Sequence, residues 1–120
     1  MAMKTLIIIN DPPYGTEKAY NAMRIANQLG KDYKNEIDVR IFLMADASLC
    51  AVAGQQTPDG YYNLERMLKL SVAKGAKVKI CGTCAKARGI ADNTFIKGAE
   101  LSTMAELAEW IADSDQVMTF

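Results

Sequence analysis

The chain has 120 residues, 50% of them hydrophobic and 23% charged, which is the composition of one globular domain over residues 1–120 and excludes a disordered segment. Its 14 basic residues balance 14 acidic ones, so there is no net positive field to hold nucleic acid or an anionic membrane surface. Histidine is absent, which removes the usual general base and the commonest transition-metal ligand together.

Residues 4–9, KTLIII, form a β-branched run without polar alternation, the pattern of a strand buried on both faces. NDPPYG at 10–15 breaks it. Thr16 is the candidate N-cap of a helix in which Ala19, Ala22, Met23, Ala26 and Leu29 recur at helical spacing, and Gly30 is its expected stop. Residues 37–44 give a second strand. The stretch 45–60 reads as a long connection of small residues closing on the turn signal TPDG. Leu64, Met67, Leu68 and Val72 mark a second helix, stopped by Gly75. Residues 78–80 are a short third strand leading into ICGTCAKARG at 80–89. A brief fourth strand is expected near 99–101. After it come a helix opened by a Thr103–Glu106 capping box and a last strand over 116–120.

Strands alternating with helices at this spacing imply βαβ units, hence an α/β fold with a parallel sheet and helices on both faces. Ligands in such sheets bind at the carboxyl ends of the strands, which here are the loops 10–15, 45–60, 81–94 and 101–103. No apolar run approaches the length that spans a bilayer, and no secretory leader is read at the start, so a cytoplasmic protein is expected. Three cysteines in a reducing compartment are expected as free thiols or as chemistry, not as structural disulfides.

The loops differ in what they can do. NDPPYG occupies the position of a phosphate cradle, but Pro12 and Pro13 have no N–H to offer and Asp11 would repel the anion; a rigid turn is the better reading. A metal site needs about four ligands. Cys81, Cys84 and Cys50 provide three thiolates and no histidine completes the set, so no metal and no resident cofactor is assigned. A thioredoxin-like dithiol fits Cys81-Gly-Thr-Cys84 locally, yet the only prolines are Pro12, Pro13 and Pro58, and none follows the motif. A nucleophile asks for less. Cys81 ends a buried strand, Gly82 leaves its approach open, and Thr83 can cap a short helix running to Arg88. The cap N–H groups, with Lys86 and Arg88 nearby, would lower the thiol pKa. The competing reading is a buried small residue at a strand end, as free cysteines often are.

Read together, NDPPYGTEKAYNAMRIA, VRIFLMADA, TPDGYYNLERML and ICGTCAKARGI resemble the DsrE/DsrF-like family, in order and over essentially the whole chain. The resemblance implies a three-layer α/β/α domain with a five-stranded, mainly parallel sheet, assembly into homo-oligomers (trimers or hexamers), and sulfur relay. In the relay members a single cysteine at a strand end, ahead of an arginine–glycine pair, carries persulfide sulfur; Cys81 and Arg88-Gly89 match it. Where those members have small apolar residues after that cysteine, this chain has Cys84.

The resulting expectation is a sulfurtransferase or sulfur carrier. Cys81 accepts sulfane sulfur as a persulfide from a donor protein and passes it to an acceptor protein, and Cys84 serves as resolving thiol. Arg88 and the helix N-terminus steady the thiolate. The alternative is a non-catalytic oligomer that binds a small ligand or senses thiol redox state. Cys81 is expected to ionise most easily, Cys84 next and Cys50 last, since 47–53 carries no charge around Cys50. The apolar stretch 45–54, with Tyr61 and Tyr62 as anchors, is expected either to form a subunit interface or to fold back over its own sheet end.

Overall fold

A computed structural model describes residues 2–120. The first apolar run becomes β1 (Met3–Ile9), in which Leu6, Ile7, Ile8 and Ile9 are all buried because strands flank it on both edges and helices cover both faces. With β2 (Ile37–Leu43), β3 (Lys77–Cys81), β4 (Ala99–Ser102) and β5 (Gln116–Thr119) it forms one sheet in the order β4-β3-β2-β1-β5, every pair parallel. The connections carry α1 (Lys18–Asp32), α2 (Leu64–Ala73), α3 (Gly82–Ala87) and α4 (Met104–Asp113). This is the three-layer α/β/α architecture with five strands.

Side chains alternate across the sheet. Ile7, Ile9, Val39, Ile41, Leu43, Val78 and Ile80 pack on Ala19, Ala22, Met23 and Ala26 of α1 and on Leu64 and Leu68 of α2. Leu6, Ile8, Phe42 and Cys81 point the other way, where Leu107 and Trp110 of α4 cover them. β2, β3 and β4 step away from β1 in one direction while β5 lies on its other side, so the crossover through α4 takes the opposite face from α1 and α2. That face is screened mainly by one helix, and Met104, Ile111 and Val117 stay exposed; Leu101, in register with Ile80, is exposed on the opposite face.

Several local details depart from the sequence expectations. α1 does not stop at Gly30 but runs on to Asp32. Gly30 lies against α2's end, where a Cβ would come within 3.3 Å of the Lys74 side chain, so its smallness serves close packing. Thr16 is not the N-cap: the helix starts at Lys18 after Glu17, and Thr16 Oγ1 donates to Asp11 while accepting from Lys18 N. Thr103 does cap α4, accepting from Glu106 N at 3.2 Å, but the Glu106 carboxylate turns to Ser102 and Lys79 instead of closing a box.

The connection after β2 is structured. Ala45–Ala51 is a 3-10 helical run with Ala47, Ser48, Cys50 and Ala51 buried, so the exposed apolar patch expected over 45–54 is replaced by a segment folded back over its own sheet end. Glu65, only 7% exposed, anchors the end of that segment by accepting from Gly54 N at 3.1 Å and Gln55 N at 2.8 Å while pairing with Lys69 at 3.1 Å. Gln55 then donates to the carbonyls of Cys50 and Val52. Among the described residues no helix is long and apolar enough to cross a membrane.

Burial pushes the Glu65 carboxyl up, but Lys69 and the two backbone N–H groups outweigh it and hold the group below its ordinary value of 4.5. A carboxyl depressed on folding contributes stability above its unfolded pKa and loses it as pH falls through the folded one. Urea unfolding should therefore show stability declining as the pH drops below 4.5. Glu65→Gln should flatten part of that decline and cost about 1–3 kcal/mol at neutral pH, because two buried N–H groups lose a charged acceptor. An acid slope identical to the wild type would remove Glu65 from this role.

Candidate functional site

Cys81 is both the last residue of β3 and the N-cap of α3. Its sulfur accepts a hydrogen bond from Cys84 N at 3.3 Å, doing with a thiol what a serine or aspartate oxygen usually does there. Thr83, expected as the cap, sits exposed inside the helix. Gly82 suits the close approach of β4: a Cβ at that position would meet the Ser102 carbonyl oxygen at 3.1 Å. The parallel register makes Ser102 the strand partner of Cys81.

The two thiols of the motif are not equivalent. Cys81 is 7% exposed and belongs to one buried cluster with Leu6, Ile8, Phe42, Leu107 and Trp110, whereas Cys84 is partly exposed and packs at the margin of that cluster. Spacing of three residues at a helix start puts both on one side of the turn. Burial pushes the Cys81 thiol above its ordinary range, its interaction with the Cys84 thiol adds to this, and the N–H groups of Cys84 and Thr83 pull the other way without prevailing. The expected easy ionisation of Cys81 is thus reversed, because desolvation outweighs the few N–H groups of a six-residue helix. Cys50, 1% exposed in the other core, is pushed up to about 12 by burial, in the direction its apolar sequence implied.

Arg88 is engaged elsewhere. Its Nε donates to Asp46 at 2.7 Å and its Nη1 to the Cys84 carbonyl at 3.1 Å, tying the end of α3 to the 3-10 run. Asp46 follows Ala45, whose φ of +50° is a left-handed conformation seldom adopted outside glycine. That turn brings Asp46 within reach of the guanidinium. Of the three residues singled out from sequence, Cys81 and Cys84 come together, and Arg88 braces their helix from its far end.

Sequence reasoning missed the polar frame on the α4 face. Lys79, two residues before Cys81 and therefore on the same side of β3, pairs with Glu106 at 3.0 Å and stands 4.8 Å from the Trp110 ring centre. Ser102 donates to the same Glu106 carboxylate, and Arg40 reaches Asp113 at 2.7 Å with its guanidinium 5.7 Å from Trp110. The alternation of Lys79 and Cys81 was a legible signal; the register that adds Ser102 was not. At the end of β1, Asn10 donates through both N and Nδ2 to the Phe120 carbonyl, so NDPPYG packs as a turn across the gap between β1 and β5. Among the described residues no group of three or more Cys, Asp or Glu side chains is arranged to hold a metal ion.

A parallel α/β/α domain with a dithiol closing its third strand is the class these features define. The chain belongs to the DsrE/DsrF-like family, whose profile matches residues 3–120. It is 39% identical over 117 residues to Protein YchN of Escherichia coli, with 98% of each chain covered. It is 41% identical over 114 residues to an uncharacterised protein of Methanopyrus kandleri, covering 95% of this chain and 91% of that one. The crystal structure of the Escherichia coli ychN protein is similar to it with a TM-score of 0.93 at 40% identity, covering 98% of this chain and 99% of that one. A conserved protein of unknown function from Bacteroides thetaiotaomicron, at 15% identity and a TM-score of 0.59 over 97% of this chain and 94% of that one, shares the fold alone.

If Arg88 serves the helix end and not the thiol, Arg88→Ala should change the alkylation rate of Cys81 by less than about twofold while costing up to about 1 kcal/mol of stability. Peptide mapping after iodoacetamide treatment, alongside urea unfolding, measures both. A several-fold slowing confined to Cys81 would return the guanidinium to the thiol's field.

Proposed function

We propose that the protein handles sulfane sulfur at the Cys81–Cys84 dithiol, with Cys81 carrying it as a persulfide and Cys84 able to resolve it. Family membership suggests a sulfur-relay-related role. The observation that supports the finer reading is the Cys81 sulfur itself: it lies at a strand end, accepts from Cys84 N and is enclosed by apolar side chains. Such an enclosure suits a persulfide, whose outer sulfur is otherwise open to attack by any thiol in solution.

The net loading reaction exchanges one sulfur atom. Cys81–SH and a donor persulfide R–S–SH give Cys81–S–SH and R–SH, with one S–S bond broken and one formed. In relay, the outer sulfur passes on, by the same exchange run in reverse, to an acceptor thiol and Cys81 returns to its thiol form. In resolution, Cys84 attacks the inner sulfur of Cys81–S–SH, a Cys81–Cys84 disulfide forms, and hydrogen sulfide leaves. A dithiol reductant must then reopen the disulfide. Three unpaired thiols fit a reducing compartment, and we place the protein in the cytoplasm with donor and acceptor proteins as partners. We further propose a homo-oligomer, trimer or hexamer. The support is the family resemblance and the exposed Met104, Ile111, Leu101 and Val117.

Intact-mass measurement after incubation with a sulfane-sulfur donor should show the gain of one sulfur atom on the wild type, absent in Cys81→Ser. No gain with any donor rejects the reading. Sedimentation at micromolar concentration should find a species of several chains; a lone chain mass across that range rejects the assembly.

A further inference from the structure

We infer that sulfane sulfur reaches Cys81 by way of Cys84: the partly exposed Cys84 is the receiving thiol and the enclosed Cys81 the holding thiol. The inference rests on the sulfur-handling reading above and adds the order in which the two sulfurs act. It runs against the habit of helix-start CxxC motifs, in which the first cysteine meets the substrate.

Three features of the site carry it. The first is access. At 7% exposure and buried in one cluster with Leu6, Ile8, Phe42 and residues of α4, Cys81 offers no room for a donor the size of a peptide, while Cys84 stands at the rim of the same cluster. The second is the close packing next to it in the chain, where a Cβ at Gly82 would come within 3.1 Å of the Ser102 carbonyl oxygen. The third is the path between the sulfurs. Cys84 N–H bonds directly to Cys81 Sγ, so the two residues share one tight turn, and the spacing of three keeps both side chains on one side of it. Burial, by holding Cys81 as the neutral thiol, agrees with this order: the inner sulfur is a poor first attacker on a donor in solution.

The transfer then has two steps of the same chemistry. Cys84 thiolate attacks the outer sulfur of R–S–SH; the donor S–S bond breaks, Cys84–S–SH forms, and R–S⁻ leaves and takes up the proton that Cys84 released. Cys81 next attacks the outer sulfur of Cys84–S–SH; that S–S bond breaks, Cys81–S–SH forms, and the departing Cys84 thiolate takes the proton given up by Cys81. Nothing is oxidised or reduced overall, and no further reagent is consumed.

Glutathione persulfide is the probe, with rapid quenching and peptide fragmentation to locate the added sulfur. Cys81→Ser should still accept sulfur, on Cys84, at close to the wild-type rate, as a transient species that intact-mass measurement at long times does not retain. Cys84→Ser should load Cys81 at least about tenfold more slowly, a difference of about 1.4 kcal/mol in barrier. Loading of Cys81 in that variant should recover partly with hydrogen disulfide, a donor small enough to enter the enclosure; a merely structural effect of the substitution would not depend on donor size. Cys84→Ser loading at the wild-type rate with glutathione persulfide, or no sulfur on Cys84 in Cys81→Ser at any quench time, overturns the order. Should Cys84→Ser unfold, Cys84→Ala takes its place. Iodoacetamide labelling of the sulfur-free wild type decides independently of any sulfur chemistry: Cys84 must react before Cys81, and the reverse overturns the inference. If no form takes up sulfur, the functional reading falls while the labelling order still shows which thiol meets solvent.

Discussion

All five strands run the same way, so five carboxyl ends collect along one edge of the sheet, and that polarity decides where chemistry can sit. Most of those ends are already occupied. At β1 and β5, backbone and side-chain N–H groups of Asn10 both reach the Phe120 carbonyl across the point where strand order reverses. At β2 the 3-10 run turns back over the core. At β4 the chain passes through Thr103 directly into α4. What is left is the end of β3, where a glycine lets β4 stay close and a short helix begins on a sulfur.

Two opposing effects meet at that sulfur, and their sizes settle its character. A helix terminus contributes about 0.3–1 kcal/mol to a nearby charge at exposed positions. Burial in low dielectric moves an ionisation by up to about 3–5 pKa units, several times as much. Six residues of helix do not offset a wall of Leu6, Ile8, Phe42, Leu107 and Trp110. The charges that do stand on this face satisfy one another, Lys79 with Glu106 and Arg40 with Asp113, and Arg88 is spent on Asp46. Of the two sulfurs, Cys84 is the one left partly open to solvent.

Most of the fold was legible because it rests on continuous apolar runs. Residues 4–9 and 37–44 could hardly be anything but strands buried on both faces, and the periodic Ala19–Ala22–Met23–Ala26 stripe could hardly fail to be a helix. Gly30 misled because glycine is as useful for a close helix contact as for a stop, and only the neighbour Lys74 tells the two apart. The 3-10 run at 45–51 was illegible because Gln55 bonds back to its Cys50 carbonyl while Glu65 holds the chain just beyond it at Gly54 and Gln55, contacts with no periodicity to read. At the site, the strand end, the two cysteines and their spacing were visible. Which thiol is enclosed was not, since that depends on α4, which arrives some twenty residues later and from the other face. Ser102 and Glu106 were hidden for the same reason: register and crossover direction place them, and neither is written in local sequence.

Trp110 gives the molecule an optical consequence. It is the chain's only tryptophan, it stands edge-on to Phe42 with ring centres 6.2 Å apart, and it belongs to the same buried cluster as Cys81. Arg40 and Lys79 stand over the ring, 5.7 and 4.8 Å from its centre, and set the field in which it emits. All tryptophan emission from the protein therefore originates in the buried cluster that Trp110 shares with Cys81. The fold has thus placed a fluorophore that reports, without any label, on the packing of the α4 face, the face on which Cys81 is buried.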